Sequence, residues 1–453
     1  MRLALKLYDV GWGALVACWL VFRLICRHPY GFRAVADRLG YLARRPPGAP
    51  VAIWVHAVSV GELLSARPVF VALKQRHPDW WILLTTNVPQ AYELARSQRT
   101  GADAVCWWPW DFGPCTETAL GRVRPDLFVL VECELWPNLI CRAAWRGVGI
   151  VMMNGRIYER NLSGYLRGRR FFADLLRRIS FIGAQSEGDY RRFRLLGADE
   201  DRLALTGSTK FDVTMPVDLD SRLTDLRALL PLGAGPLWVL ASTHDDEESQ
   251  VLSRSHTLRA RFPGLQFLIA PRHIGRATQV AQVAARFGLR TAFRSRLSSF
   301  SRRSQTDADV ARPDVILLDT IGELPLALGL ADLVFVGGTL VDRGGHNPIE
   351  AGLHGKAVLV GPSVYNFAEV FAALLSGGAA VSAADADELT ALAVQLLADT
   401  DRRQDLGRRA AEVVGRHAGA ARTYVRVLEQ AIGRQHIGVA ASRENCFNTA
   451  TVA

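Results

Sequence analysis

The stretch LVFVGGTLVDRGGHNPIEAGLHGKAVLVGP, residues 333–362, decides the fold. It opens on the apolar run Leu333–Val336 and closes on a second one, Ala357–Val360. Short valine-rich runs flanked by glycine read as buried strands. Between them stand two glycine pairs, Gly337–Gly338 and Gly344–Gly345, followed by His346 and Asn347. Pro348 then suits the first turn of a helix containing Glu350. The glycines let backbone approach a ligand, and the helix N-terminus offers free N–H groups to a phosphate. Glu350, one turn in, is placed to accept hydrogen bonds from ribose hydroxyls. A plain strand–turn–helix without a ligand is the competing reading.

Outward from this stretch the same alternation repeats. Upstream lie Leu237–Ala241, Gln266–Ala270 and Val315–Leu318. Further back come Val51–Val55, Trp81–Thr85, Leu127–Val131, Ile150–Met153, Phe181–Ala184 and Leu203–Thr206. Amphipathic stretches such as LLSARPVFVALKQRH (63–77) separate them, where Pro68 marks a kink or a late helix start. This βαβα order argues an α/β protein with doubly wound parallel sheets. A chain of 453 residues is too long for one ordinary domain. PLGAGP (231–236) reads as the linker between two units, expected at 31–220 and 221–425, with a tail over 426–453 that lacks order from about Gly438. The polar segment 294–313 reads as a mobile loop.

The N-terminus differs. In LYDVGWGALVACWLVFRLICR (7–27), Val10 to Phe22 carry no charge, and Arg23, Arg27, Arg33, Arg38, Arg44 and Arg45 follow. That is short of the roughly 20 residues a spanning helix needs. The expectation is an uncleaved anchor helix over 1–30, spanning with a snorkelling Arg23 or lying in the interface, with the body on the cytoplasmic side. The net charge of +10 favours anionic partners, and the absence of RNA-binding or zinc-finger motifs disfavours nucleic acid. Arg156, Arg160, Arg167, Arg169, Arg170, Arg177 and Arg178 gather in one stretch, and part of the set is expected near the bilayer, holding anionic lipid or acceptor phosphates. Seven cysteines without metal-ligand spacing fit reduced thiols and no metal site.

Ligands of doubly wound sheets bind at the carboxyl ends of strands, so the residues there carry the chemistry. WVHAVSVGEL (54–63) ends an apolar run on Gly61 and Glu62. VLVECELWPNL (129–139) ends one on Glu132 and Glu134, and LTGSTKFD (205–212) sets Lys210 just beyond another. Glu62, Glu132 and Lys210 are expected to converge on one side of a cleft. In ASTHDDEE (241–248), Ser242 and Thr243 are expected near the ligand and Asp245 to Glu248 as helix caps. In LIAPRH (268–273), Arg272 is placed to clamp a phosphate.

HAVSVGE, ELWPN, KFD, ASTH, PRH, IGEL and GGHNPIEA, in this order behind an apolar N-terminus, resemble the 3-deoxy-D-manno-octulosonic acid (Kdo) transferases of lipopolysaccharide synthesis. The resemblance implies a GT-B fold: two Rossmann-like domains, the first binding the acceptor and the second the donor. It implies CMP-Kdo as donor, a lipid A precursor (lipid IVA) as acceptor, no cofactor besides, and a place on the cytoplasmic side of the inner membrane against anionic lipid. It also implies Glu62 as the general base, with Glu132 and Lys210 assisting the transition state. The CMP-binding segments fall on Pro271 and Arg272, on Ile321, Gly322 and Glu323, and on Asn347, Pro348, Ile349 and Glu350. The sequence departs from the family where Ser208 and Thr209 replace Asn-Leu, Ile321 a methionine and Asp246 a glycine. A positioned carboxylate removes the proton of a poor hydroxyl nucleophile as the bond forms. The helix after Gly61 is expected to keep Glu62 ionised, and direct displacement predicts inversion. Two other readings are a GT-B transferase using a UDP-sugar and a non-catalytic nucleotide-binding scaffold.

Overall fold

The computed structural model describes residues 1–26, 32–97, 100–213, 215, 218–299 and 312–448. It divides into two compact units, Met1–Asp212 with Ala418–Ala453, and Val213–His417.

The first unit is built on seven strands: β1 (Ala52–His56), β2 (Trp81–Thr86), β3 (Ala104–Trp107), β4 (Leu127–Val131), β5 (Gly149–Gly155), β6 (Phe181–Ala184) and β7 (Leu203–Leu205). Their order is β3-β2-β1-β4-β5-β6-β7, every pair parallel. The second unit repeats the plan with β8 (Leu237–Thr243), β9 (Gln266–Pro271), β10 (Thr291–Phe293), β11 (Val315–Leu317), β12 (Leu333–Val336), β13 (Ala357–Val360) and β14 (Ala380–Ser382). Here the order is β10-β11-β9-β8-β12-β13-β14, again all parallel. The expected doubly wound α/β architecture is what forms.

Three strands escaped the sequence reading. β3, β10 and β14 all sit at sheet edges and are only partly buried. An edge strand does not need the unbroken apolar run that betrays a central one. In both sheets the chain reverses direction of growth beside the first strand, between β1 and β4 and between β8 and β12. These are the switch points where doubly wound folds bind ligands.

The boundaries differ from the expected ones. The first unit ends at Asp212, so helix Leu219–Leu229 and the PLGAGP turn both belong to the second unit. The turn joins that helix to β8. The C-terminal segment is helical over Ala420–Asn448 rather than a tail from 426. Its buried Ala420, Tyr424, Val425, Leu428 and Ile432 pack with Ile53, Val55, Phe70 and Val129 on one face of the first sheet. The Tyr424 hydroxyl accepts from Asn154 N–H at 2.8 Å and donates to Gly183 O at 3.0 Å. Asp212 caps this helix through the N–H groups of Gly419 and Ala421, at 2.5 and 2.7 Å. The sequence reading gave its first residues, to 425, to the second unit and the rest to a tail, whereas its apolar face completes the core of the first unit.

The N-terminal helix, Arg2–Cys26, buries Leu5 and Val16. Its Asp9 accepts from Gly113 N–H and Asn138 Nδ2, both at 2.8 Å, and pairs with Arg142 at 3.3 Å. Leu3, Leu7, Val10 and Leu15 remain exposed. Among the described residues no helix is long and apolar enough to cross a membrane, so the spanning form of the expected anchor is not supported. Of the arginines after β5, Arg156 and Arg160 lie over the Tyr158 ring at 4.2 and 5.2 Å, and Arg169 donates to Leu195 O at 2.7 Å. Arg177 pairs with Asp174, and Arg178 donates to the Asp174 carbonyl. Part of the cluster therefore ties its own helices together. The side chain of Arg23, residue Arg27 and most of the 294–313 loop lie outside the described residues.

Candidate active site

In the first unit, β1 runs into the helix Val60–Arg76, which continues unbroken across Pro68. Ser59 is its N-cap, and Glu62 stands in its first turn. The two are reciprocally bonded: the Ser59 hydroxyl accepts from Glu62 N–H at 3.3 Å and donates to Oε1 at 3.2 Å. Val58 N–H donates to Glu62 Oε2 at 2.7 Å. This is a capping-box arrangement, so Glu62 also holds the helix start. A Cβ added at Gly61 would meet only Ser59 Oγ, at 3.8 Å, so the backbone there is uncrowded.

Helix-end capping does not keep Glu62 acidic. Burial, then the charges of Glu132 and Glu134, push its pKa up to about 8 against the pull of the Val58 and Ser59 bonds. The expectation that the helix N-terminus holds it ionised is corrected by this crowd of carboxylates. Glu134, bonded by Trp136 Nε1 at 2.8 Å, is itself raised to about 7 by burial and Glu132. Glu132 stands at φ 61°, a left-handed conformation that only the surrounding structure sustains in a glutamate. It accepts from Lys210 Nζ at 2.8 Å. Lys210 is aimed by its own turn: Thr209 Oγ1 accepts from Asn154 Nδ2 at 2.6 Å and donates to Ser65 O at 2.6 Å. Thr209 N–H donates to Asn154 Oδ1 at 3.1 Å. The departure from the family at Ser208 and Thr209 thus carries a hydrogen-bond network of its own.

His56, at the end of β1, is fully buried, stacked on Trp108 at 3.5 Å and bonded through Nδ1 to Thr85 O at 3.1 Å. Burial drops its pKa to about 3, so the ring is neutral with its proton on Nδ1. Its Nε2 has no hydrogen-bond partner and lies 3.9 Å from Glu134 Oε2.

In the second unit the switch point is lined by opposite charge. Arg272 follows β9, and its guanidinium makes no hydrogen bond or ion pair among the described residues. Gly337 and Gly338 end the turn after β12. A Cβ at Gly337 would lie 2.6 Å from Ser242 O, and Gly338 is held at φ 72°. Only glycine permits so close an approach there. Glu247 accepts at once from the N–H groups of His244 (2.8 Å), Gly338 (2.7 Å), Thr339 (3.1 Å) and Leu340 (3.0 Å). Glu248 takes the Thr243 hydroxyl and Arg276. The acidic run therefore does more than cap a helix: it pins the ends of β8 and β12 to each other. Asp246 adopts φ 78°, a conformation that glycine takes without strain.

The expected CMP-binding segments fall on this rim with two corrections. The helix Ile349–Leu353 has only five residues, and Asn347 Oδ1 already accepts from Ile349 N–H at 3.0 Å. It is too short to supply a strong N-terminal phosphate site. Glu323 is held by Arg294 at 2.7 Å and by the Thr320 hydroxyl, so its carboxylate is engaged. Ile321 is 87% exposed, and Gly322 stands at φ 86°. Glu350 is raised in pKa by burial.

Residues 33–213 match the family model described as 3-deoxy-D-manno-octulosonic-acid transferase (kdotransferase). The chain is 31% identical over 423 residues to the 3-deoxy-D-manno-octulosonic acid transferase of Haemophilus influenzae, covering 93% of this chain and 96% of that one. With the enzyme of the same description from Bordetella pertussis it shares 33% over 409 residues, 87% of this chain and 90% of that one. This chain belongs to the Kdo transferase family.

A crystal structure of a glycosyltransferase from Rickettsia africae aligns with a TM-score of 0.53 at 10% identity, over 84% of this chain and 99% of that one, which shows a shared GT-B-type fold and no more. As a Kdo transferase the chain is a glycosyltransferase. The structure brings Glu62, Glu132, Glu134 and Lys210 to the first switch point. Arg272, Asn347 and Glu350 belong to the second unit, with His244 and His346. The role of Glu247 as a clamp was missed, because a run of four acids gives no sign of which one turns inward. The pairing of His244 with His346 was missed too, since 102 residues separate them.

Proposed function

We propose that this Kdo transferase moves Kdo from CMP-Kdo to a hydroxyl of a lipid A precursor, with Glu62 as general base. The observation that supports this reading best is the Glu62 carboxyl itself: set in the first helical turn after β1 and raised to about 8 by burial and two neighbouring acids. A base of that strength accepts a hydroxyl proton more readily than an ordinary glutamate would.

In the reaction the acceptor oxygen attacks the donor's anomeric carbon while its proton passes to Glu62. The bond from that carbon to the phosphate oxygen breaks, and the electron pair leaves with CMP. Attack opposite the leaving group inverts the centre. Charge at the oxocarbenium-like carbon is met by the carboxylates, with Lys210 fixing Glu132 at 2.8 Å. Arg272 stabilises the departing phosphate. Ile321, exposed beside Gly322, offers an apolar surface to the cytosine.

The exposed Leu3, Leu7, Val10 and Leu15, with Arg2 and Lys6 on the same helix, support an interfacial position at an anionic membrane, read here as the cytoplasmic face of the inner membrane. Purified protein given lipid IVA and CMP-Kdo should yield product with the mass of added Kdo. Transfer from a UDP-sugar, with CMP-Kdo left untouched, would replace the donor in this reading. Removal of residues 1–27 should leave vesicle binding that falls with salt. Binding lost at every ionic strength would confine membrane contact to the helix.

A further inference from the structure

His244 and His346, on the loops after β8 and β12, meet at their ring edges with ring centroids 5.0 Å apart and planes 12° apart. Their Nε2 atoms are 2.8 Å apart. Two imidazole nitrogens at that distance share one proton: one ring donates and the other accepts. The accepting ring must then carry its own proton on Nδ1, and the donating ring has a bare Nδ1. Neither Nδ1 has a hydrogen-bond partner among the described residues. Gly338 fits against both rings, and a Cβ there would lie 3.3 Å from His346 Cδ2 and 3.4 Å from His244 Cδ2.

The surroundings of the pair are cationic. Arg272, His273 and Arg276 face it from the end of β9, and Arg343 from the loop after β12. The acids packed on the same turns do not offset them. Glu247 spends both oxygens on four backbone N–H groups, Asp245 and Glu248 are paired with Arg276, and Glu350 is pushed toward its neutral form by burial. Burial and these cations hold both histidines below their ordinary pKa, His346 at about 4, so the empty pair is neutral.

We propose that the His244–His346 pair takes up one proton from solvent when the donor's phosphate binds, so that nucleotide binding by this protein is coupled to protonation. The inference rests on reading this rim as the CMP site. A phosphate anion, singly charged in the CMP-Kdo diester and doubly charged in CMP, opposes the local positive field, and the bare Nδ1 becomes the most basic position available beside it. The imidazolium then adds an N–H donor to the phosphate that Arg272 alone does not supply. No bond other than N–H forms, and the phosphate remains with CMP. A neutral pair spares the empty rim a further positive charge, and a protonated pair offers one when the anion arrives.

Calorimetry of the full-length protein tests this directly. CMP is titrated at pH 8, where its phosphate, with a second pKa of about 6, is already a dianion. The titration is repeated in two buffers of different ionisation enthalpy, with cytidine as the phosphate-free probe. The expected result is uptake of a fraction of a proton per CMP that grows as pH falls from 8, none with cytidine, and a dissociation constant that rises with pH. His346→Asn and His244→Asn, each first shown to melt as the wild type does, should bind CMP more weakly and without uptake. CMP binding by the wild type without proton uptake overturns the proposal, as does uptake that survives in both variants or appears equally with cytidine. A folded wild type that binds no CMP overturns the assignment of the nucleotide site, and the proposal falls with it.

Discussion

At the carboxyl end of β1 the first unit gathers Glu62, Glu132 and Glu134 around one cation, Lys210. At the carboxyl end of β8, the corresponding place in the second sheet, Arg272, Arg276 and Arg343 surround His244 and His346. The topology of the two sheets is nearly the same, and the electrostatics are opposite. Carboxylates crowded together hold protons more tightly and become bases of useful strength near neutrality. Imidazoles crowded by arginines lose theirs and wait for an anion. The sheet supplies a place for ligands, and the charge of the neighbours decides which step of a transfer that place serves.

The contrast breaks most visibly at Glu62. Glu62→Gln keeps the shape of the side chain, and its amide oxygen still accepts from Val58 N–H. It removes the basicity that Glu132 and Glu134 create. Steady-state turnover with CMP-Kdo and lipid IVA should fall about 10²–10⁴-fold, roughly 3 to 5.5 kcal/mol of barrier. CMP affinity, measured by calorimetry, should stay as it is, since the arginine-rich rim belongs to the second unit. Turnover near the wild-type rate would leave Glu62 as a helix cap and move the search for a base to Glu134 and His56.

On the cationic side the effect is smaller. Arg272→Ala should weaken CMP binding by about 1.5 to 3 kcal/mol, the cost of a lost hydrogen bond to a charged group. Glu350→Ala should weaken it less, through the ribose. Unchanged CMP affinity in both variants would remove the nucleotide from this rim and with it the charge complementarity of the two sites.

A third measurement sharpens the contrast through pH. A base with a pKa of about 8 is mostly protonated at neutral pH, so kcat should climb as pH rises through 8 and then level off. Glu134→Gln removes one of the negative charges that raise Glu62, so this acidic limb should move to lower pH. It should not return to the ordinary glutamate range, because burial and Glu132, the two larger causes, remain. A limb that stays in place would mean that Glu134 does not share the electrostatics of Glu62.

Much of this was legible in the sequence, for definite reasons. The central strands are buried on both faces, so Leu127–Val131 and Leu333–Val336 read directly as apolar runs. The residues that follow them, Glu132 and Gly337, were thereby placed at strand ends before any packing was known. The edge strands β3, β10 and β14 gave no such run. The C-terminal helix was lost because its partner is Tyr424 against Asn154 and Gly183, a contact spanning 270 and 241 residues. The strength of Glu62 as a base was misjudged for a similar reason. Its own helix start is local and visible, whereas the charges of Glu132 and Glu134 reach it only through the fold. The histidine pair, 102 residues apart in the chain, lies in the same category.

The smallest expected effect separates the two jobs of Glu62. A glutamate whose folded pKa is raised from about 4.5 to about 8 favours the folded state while protonated and opposes it once ionised. Stability from this group is therefore complete below the unfolded value, declines as pH rises through the interval, and is lost above 8. The amide of Glu62→Gln does not titrate. At pH 5 the variant should melt at or slightly below the wild type, because the amide caps the helix less well than the native carboxyl bonded to Val58 and Ser59. At pH 9 the ordering should invert, the variant then lacking a buried charge among other carboxylates. Partial solvent access to Glu62 limits the change to about 2 °C in the melting temperature at either end, the shift that 1 kcal/mol makes in a unit of this size. Melting curves of the two proteins that run parallel from pH 5 to 9 would show that Glu62 titrates alike in the folded and unfolded chains. The acid crowding that distinguishes this strand end from the cationic one would then be without energetic consequence.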